Sequence, residues 1–242
     1  LRTAPSPLSL GIFLLGVPGC GKSAWCQALG NELGIPVLSM DFAAMMSSLV
    51  GSSEANIRHA LNAVDAMGRA VLYIDEIGEG LAGARGSGEL DSGVKAGVAG
   101  TFLKWLSGRR PGQAYVVATS NSLRTIPAQY LRAERWDALF YVDLPNRLEK
   151  RVIWEIWAGR FNITSGNGEV DDNGWTGAEI RSCCRIASMM GCSLEEASQY
   201  IRPVAQTMAG EIQEMREWAK TRCLPASKPE LVSPDGVARR LR

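Results

Sequence analysis

The chain has 242 residues, 46% of them hydrophobic, and its 26 Lys and Arg residues against 25 Asp and Glu residues leave a net charge of +1. This length is sufficient for one compact core, or for a core with a smaller appended domain. The near-zero charge excludes a protein that binds nucleic acid or an anionic membrane through its bulk charge. No apolar run reaches the roughly eighteen residues that a membrane span requires, so no membrane association is expected.

The six cysteines are scattered through the chain and form no Cys-x-x-Cys pair, and His59 is the single histidine. This spacing does not favour a disulfide scaffold or a structural zinc site. We expect reduced thiols in a reducing compartment, with the cytoplasm as the first choice. Because the chain does not begin with methionine, we also expect a further segment upstream.

Strand-like apolar runs alternate with helical patterns from residue 11 to residue 143, which predicts a parallel sheet with crossover helices. Two apolar stripes at helical spacing, from Ile57 to Val64 and from Val94 to Trp105, predict helices that face the core. Five runs are expected to form the strands: Gly11 to Leu15, Val37 to Met40, Ala70 to Ile74, Tyr115 to Ala118 and Phe140 to Val142.

The pattern changes after Leu144-Pro145, where every periodic segment becomes helical. We therefore expect an α/β domain over residues 1–144, followed by a small all-α lid over residues 145–219. Residues 220–242 contain three prolines and six basic residues against two acidic ones, which indicates a basic tail. The first lid helix is marked by five apolar residues: Leu148, Val152, Ile153, Ile156 and Trp157.

The segment from Gly16 to Ser23 matches the phosphate-loop pattern G-x-x-x-x-G-K-[ST], with an apolar strand before it and a helical pattern after it. Lys22 is expected to reach the β- and γ-phosphates of a nucleotide, and Ser23 to bind Mg²⁺. The fold class is therefore that of a P-loop NTPase with a five-stranded parallel sheet. The residues expected to contact the nucleotide here are Gly16, Pro18, Gly19, Cys20, Gly21, Lys22, Ser23 and Ala24.

A competing interpretation is a dinucleotide-binding oxidoreductase. Residues 19–24 also fit G-x-G-x-x-[GA], and Asp41 lies twenty residues after Gly21. The segment Val71-Leu-Tyr-Ile-Asp75-Glu76, which has the Walker B form, decides against it. Asp75 would hold Mg²⁺ and Glu76 would orient and deprotonate an attacking water, roles that hydride transfer does not require. Nucleotide hydrolysis is therefore favoured.

With these motifs in place, residues 10 to 200 resemble the AAA+ ATPases in a single order of motifs. Asn121 stands where that family has its sensor-1 residue, which would share the attacking water with Glu76. Arg132 and Arg135 stand in the arginine-finger segment, which in that family reaches the nucleotide of the neighbouring subunit. Gly177 and Ala178 resemble the start of the sensor-2 helix in the subgroup without a sensor arginine.

The resemblance extends to two loops that would face a central channel. The segment around Leu49 resembles the first pore loop, although Leu49 replaces the usual aromatic residue, and residues 83–93 would form the second. Among AAA ATPases, the chain is most similar to a family first described as hypothetical open reading frames of algal plastids and cyanobacteria. That similarity adds the plastid stroma as a second expected compartment.

The resemblance implies a ring, with six subunits expected, that couples ATP hydrolysis to remodelling of an unidentified protein partner. The alternative is an ATP-dependent switch or loader, in which the basic tail contacts nucleic acid or a partner complex. Two interpretations of Cys20 also remain open: a thiol whose pKa is lowered by Lys22 and the helix start, and an inert packed thiol.

Overall fold

The computed structural model describes residues 10–47, 53–82, 89–109, 112–163 and 170–227. The strands are β1 (Gly11–Gly16), β2 (Val37–Met40), β3 (Val71–Ile74), β4 (Tyr115–Ser120), β5 (Ala138–Val142) and β6 (Leu224–Pro225). The helices are α1 (Lys22–Leu33), α2 (Phe42–Ser47), α3 (Ser53–Met67), α4 (Ile77–Ala82), α5 (Glu89–Ser107), α6 (Arg147–Arg160), α7 (Gly177–Met190), α8 (Leu194–Ser198), α9 (Val204–Thr207) and α10 (Ala209–Ala219). Short 3₁₀ helices span Ala128–Leu131 and Ala133–Arg135.

The six strands form one parallel sheet in the order β2-β3-β4-β1-β5-β6. The predicted α/β architecture is therefore confirmed, and the five expected strands all form. The sixth strand, β6, was not predicted, since Leu224 and Pro225 lie in the segment that was expected to be a tail. They pair with Phe140 and Tyr141 of β5. A two-residue strand that ends in proline carries no periodic pattern, so the sequence does not reveal it.

The sheet is covered on both faces. Successive side chains of a strand point to opposite faces, so Ile12 and Leu14 pack with Cys26 of α1, whereas Phe13 and Leu15 join the main hydrophobic cluster on the other face. All six residues of β1 are buried. The central strands therefore carry the phosphate loop on a support that is packed on both sides.

A second hydrophobic cluster, which we call the lid cluster, lies after Pro145. It is centred on Trp175, Ile180 and Cys183, with Ile153 and Trp157 of α6 packed against it. The last helix, α10, does not share this cluster. Its residues Ile212, Met215 and Ala219 are buried in the main cluster beneath the α/β sheet. The predicted end of the lid at residue 219 stays a prediction. Helix α10 ends at that residue but packs in the main cluster and not in the lid cluster.

The described part of the chain contains no helix that is both long enough and apolar enough to pass through a membrane.

Candidate functional site

The phosphate loop connects β1 to α1 over five residues. Gly19 and Gly21 have φ values of +79° and +90°, in the left-handed region that favours glycine. A Cβ atom on Gly19 would come within 2.9 Å of the Cβ of Ala178, so this position also requires a hydrogen side chain for space. The backbone of the loop therefore turns directly into the start of α1. A glycine-rich turn followed by a helix N-terminus is an arrangement that binds phosphate.

The Lys22 side chain is buried although it carries the charge of the loop; only 6% of it is exposed. Its Nζ donates hydrogen bonds of 2.9 Å to the carbonyl oxygens of Gly16 and Val17, and a third to Oδ1 of Asn121. Burial lowers the pKa of the Lys22 ammonium, and the nearby carboxylate of Glu76 opposes part of that decrease. The ammonium is thus held at the mouth of the loop by oxygen acceptors alone.

The carboxylate of Asp75, directly after β3, is fixed by two hydroxyl groups. Its Oδ1 accepts hydrogen bonds from Tyr73 Oη at 2.6 Å and from Thr119 Oγ1 at 2.8 Å. Burial, together with the bond to Asp75, raises the pKa of the Tyr73 hydroxyl, and the nearby Ser23 side chain opposes part of that increase. The Tyr73 hydroxyl therefore lies next to both Ser23 and Asp75, the two expected metal ligands.

Those ligands fit Mg²⁺ by their chemistry. A serine hydroxyl and a carboxylate are hard oxygen donors, and Mg²⁺ is usually bound by one or two such protein groups, with water and phosphate oxygens completing the shell. Because both lie next to the Tyr73 hydroxyl, Ser23 and Asp75 are near each other.

The neighbouring Glu76 has an unusual backbone. Its φ is +45°, a conformation that costs energy for a residue other than glycine. The Glu76 backbone N–H donates to Thr119 Oγ1 at 3.1 Å, and the Glu76 Oε2 accepts from the backbone N–H of Asn121 at 3.0 Å. Burial raises the pKa of the Glu76 carboxyl, while the bond from Asn121 and the charge of Lys22 oppose part of the increase. A raised pKa brings a carboxylate nearer to what a general base needs.

Tyr73 and Thr119 were not among the residues expected to form the site. Tyr73 lies two residues before Asp75, and Ala118, the residue before Thr119, is the register partner of Ile74 on the adjacent strand. A hydroxyl residue inside an otherwise apolar strand, next to a predicted acidic ligand, is the signal that would have found each of them.

The start of α7 reaches the phosphate loop. The backbone N–H of Ala178 donates to the Gly19 carbonyl at 3.0 Å, and Thr176 caps the helix in a capping box with Glu179. A Cβ on Gly177 would lie 3.5 Å from the same carbonyl, which is an ordinary contact. Gly177 and Ala178 thus lie next to the phosphate loop, and Gly19 is the glycine that permits the close approach; their contact with a nucleotide stays a prediction.

The two arginines of the predicted finger segment differ in their surroundings. Arg135 donates from Nε to Ser107 Oγ at 3.0 Å and from Nη1 to the Gln129 carbonyl, so its guanidinium is held by groups of its own chain. Arg132 is exposed at the end of a 3₁₀ turn. Within the described residues, neither arginine hydrogen-bonds to the phosphate loop or to the paired acids of the same chain.

The remaining predicted residues give mixed outcomes. Pro18 is half-buried and Ala24 exposed in the phosphate-loop segment. Burial raises the pKa of Cys20 to about 12, which contradicts the lowered thiol pKa and leaves the packed thiol as the interpretation. All six cysteines are free. Leu49 and most of the expected second pore loop lie outside the described residues.

Comparison with known proteins is consistent with this geometry. A model of the family described as "ATPase family associated with various cellular activities (AAA)" matches residues 12–144. The chain is 32% identical over 231 residues to the "Uncharacterized AAA domain-containing protein ycf46" of Pyropia yezoensis, covering 89% of this chain and 46% of that protein. It is 29% identical over 197 residues to the human "ATPase family gene 2 protein homolog A", covering 78% and 21%.

Among solved structures, the crystal structure of the FIGL-1 AAA domain superposes with a TM-score of 0.68 at 18% identity, covering 89% of this chain and 78% of that one. The same domain in complex with ADP gives 0.67. The structural similarity demonstrates a shared fold, and at 18% sequence identity it demonstrates the fold alone. The chain spans less than half the length of the curated relatives that it matches.

Proposed function

Because this chain belongs to the AAA ATPase family, we propose that it binds ATP with Mg²⁺ and hydrolyses the ATP to ADP and phosphate. The observation that carries the proposal is a convergence of groups from three strand ends. Lys22 after β1, Glu76 after β3 and Asn121 after β4 are joined by direct hydrogen bonds at the mouth of the phosphate loop. A basic group, an acidic group and an amide at one phosphate-binding loop suit phosphoryl transfer to water.

In this mechanism the loop amides and Lys22 would hold the phosphates, and Ser23 and Asp75 would hold Mg²⁺. Bound Mg²⁺ would neutralise charge that develops on the transferred phosphoryl group. Glu76 orients the attacking water and accepts its proton. Asn121 contacts that water through its side chain while its backbone N–H fixes the Glu76 carboxylate.

We further propose that the active form is a ring, with six subunits expected, in which Arg132 completes the site of the neighbouring subunit. The exposure of Arg132 supports this role, since a guanidinium that acts on another subunit must project from its own. Arg135 is tied to Ser107 and Gln129. We therefore assign Arg135 to positioning the finger segment instead of to the neighbouring nucleotide.

The ring is proposed to couple hydrolysis to remodelling of a protein partner, with membership of the family as the support. The alternative, a switch or loader that acts on nucleic acid, rests on the basic residues after residue 219. Because residues 224–226 join the sheet edge, a truncation that tests it should begin at residue 228. A steep salt dependence of DNA or RNA binding that this truncation removes would favour the alternative.

Hydrolysis is tested by comparing two substitutions at the site. Glu76→Gln should bind a fluorescent ATP analogue with Mg²⁺ normally, while phosphate release falls about 10²- to 10⁴-fold because the base is lost. Lys22→Ala should lose binding of the analogue, because the phosphates lose their buried cation. Equal loss of binding in both variants would contradict these roles.

The action of Arg132 between subunits is tested by mixing variants. Arg132→Ala and Glu76→Gln should each be inactive alone. A mixture should recover part of the activity, since some interfaces then pair an intact Glu76 with an intact Arg132. Arg151→Ala, which removes an exposed arginine paired with Glu155, serves as the matched control and should keep full activity. No recovery in the mixture would exclude action between subunits.

A further inference from the structure

Helix α6 has an apolar face that no part of the described chain covers. Leu148, Val152 and Ile156 are 52%, 53% and 48% exposed, and they recur every four residues, so they form one stripe along the helix. An adjacent side of α6 packs into the lid cluster through Ile153 and Trp157. Three half-exposed aliphatic side chains in a row are uncommon on a surface that faces only water.

A pair of arginines lies beside the C-terminal end of this stripe. The Cζ atoms of Arg160 and Arg181 lie 4.9 and 4.8 Å from the ring centre of Trp157, so both guanidiniums stack on one indole. The two Cζ atoms are consequently within about 10 Å of each other. Among the described residues, neither guanidinium forms an ion pair or a hydrogen bond with a carboxylate. The indole therefore holds two positive charges within about 10 Å of each other without neutralising them.

The stripe and the arginine pair form one continuous surface, which we call the outer face of α6. Ile156 and Arg160 are four residues apart, so they are neighbours on the helix. From Leu148 to Arg160 the face extends for about 18 Å, the length of three to four helical turns. It presents aliphatic contacts along most of its length and unneutralised positive charge at one end.

We propose that the outer face of α6 binds an acidic amphipathic segment of a partner protein. Apolar side chains of the segment pack on the stripe, and its carboxylates accept hydrogen bonds from Arg160 and Arg181 in the bidentate geometry that guanidinium favours. Single-stranded nucleic acid fits less well, because the guanidiniums already lie over the indole on which a base would stack, and because the stripe is aliphatic. This proposal identifies a surface by which the chain would bind the partner that it is proposed to remodel. It rests on the proposed function only for what happens to the bound protein.

Binding is measured by fluorescence anisotropy in the absence of nucleotide, so that loss of docking and loss of hydrolysis are separate results. The probe is a fluorescein-labelled 16-residue peptide with leucines four residues apart and glutamates beside them. Control probes replace every glutamate by glutamine, replace every leucine by serine, or consist of labelled oligo(dT) of the same length. We expect the acidic peptide to bind most tightly and its affinity to fall as salt is raised.

Two sets of variants locate the site. Arg160→Ala with Arg181→Ala, and separately Val152→Ser with Ile156→Ser, should each weaken binding about tenfold or more. All four side chains are at least partly exposed, so folding, checked by circular dichroism, should be retained. Arg151→Ala on the same helix should change the affinity by less than about twofold, since its charge is paired with Glu155.

Several results would overturn the proposal. Peptide affinity that is unchanged in both double variants places binding elsewhere, and tighter binding of oligo(dT) makes the surface a nucleic-acid site. Loss of self-association in the double variants, measured by light scattering, makes it a contact between copies of this chain. Absence of peptide binding at millimolar concentration removes the docking role, whereas ATP hydrolysis that stays at the parent rate leaves the proposed catalytic function intact.

Discussion

The main hydrophobic cluster and the lid cluster both adjoin the phosphate loop, but they are attached to it by different kinds of contact. The main cluster supports the loop through β1 itself, and the backbone N–H of Val17 donates to Val142 on the next strand at 3.0 Å. Among the described residues, one backbone hydrogen bond joins the lid to the loop, from Ala178 to Gly19, and the side chains of Ala178 and Thr176 lie close to Gly19. The first attachment is continuous sheet, whereas the second is a small contact with one hydrogen bond, for which ligand or water can compete.

This difference separates two tasks. The proposed catalytic groups Glu76 and Asn121, which would have to hold a fixed geometry during hydrolysis, lie at the ends of buried strands and are bonded to each other across them. The lid contact is worth about 1 kcal/mol if it behaves as an ordinary backbone hydrogen bond. Under the proposed function, a change of nucleotide state would therefore alter the lid contact at small cost without moving these groups.

Helix α10 tests where the boundary between the two regions lies. It follows the lid in the chain but packs in the main cluster, where Met215 is 2% exposed. Two ion pairs fasten it to the α/β region: Arg216 with Asp143 and Arg124 with Glu214. The residues of the lid cluster all come from the segment between Asn146 and Arg202.

The largest expected effect comes from Met215, the α10 side chain buried in the main cluster. Met215→Ala should lower the free energy of unfolding by about 2–5 kcal/mol, because a buried side chain is removed from the main cluster. Met189→Ala on α7, where the side chain is 70% exposed, is the matched control and should change it by less than about 0.5 kcal/mol. Chemical denaturation measures both, and equal effects would contradict the assignment of α10 to the main core.

The next effect concerns the Thr119 hydroxyl, which donates to the Asp75 carboxylate and accepts from the backbone N–H of Glu76. Thr119→Val should lower kcat about 10- to 100-fold and raise the Mg²⁺ concentration required, since Asp75 loses a donor and the Glu76 N–H loses its acceptor. Thr207→Val on α9, where the hydroxyl bonds only within its helix, should behave as the parent. A loss of stability with an unchanged requirement for Mg²⁺ would mean that Thr119 is structural only.

A smaller effect is expected from the ion pair at the end of β5. Arg216 donates two hydrogen bonds of 2.8 Å to the carboxylate of Asp143, and the bond to Asp143 raises the pKa of the guanidinium. Both side chains are more than one-third exposed, so solvent reduces their coupling to about 0.5–1 kcal/mol. A double-mutant cycle of Arg216→Ala and Asp143→Asn measures it. A coupling of zero would leave apolar packing and the Arg124–Glu214 pair to hold α10.

The sequence predicts the part of the molecule in which chemistry and backbone pattern coincide. The phosphate loop, the Asp75-Glu76 pair and the five strands follow from local motifs and periodicity, because each requires particular residues at short spacing. The docking of α10 and the strand at Leu224 depend on contacts between distant segments, which leave no local pattern. Leu148 and Ile153 illustrate the limit: both fit one apolar periodicity, but only Ile153 packs inward.

The smallest expected effect is at Cys20, where the structure reverses one of the two interpretations drawn from the sequence. Burial holds the pKa of the thiol near 12 in spite of the neighbouring Lys22, so very little thiolate exists at neutral pH and oxidants or alkylating agents find a poor nucleophile. Hydrolysis by the parent and by Cys20→Ser should therefore decline at the same rate during treatment with iodoacetamide. Faster inactivation of the parent, protected by Mg-ATP, would show that the loop opens enough to expose Cys20, and that its attachment is less rigid than its contacts with β1 and β5 imply.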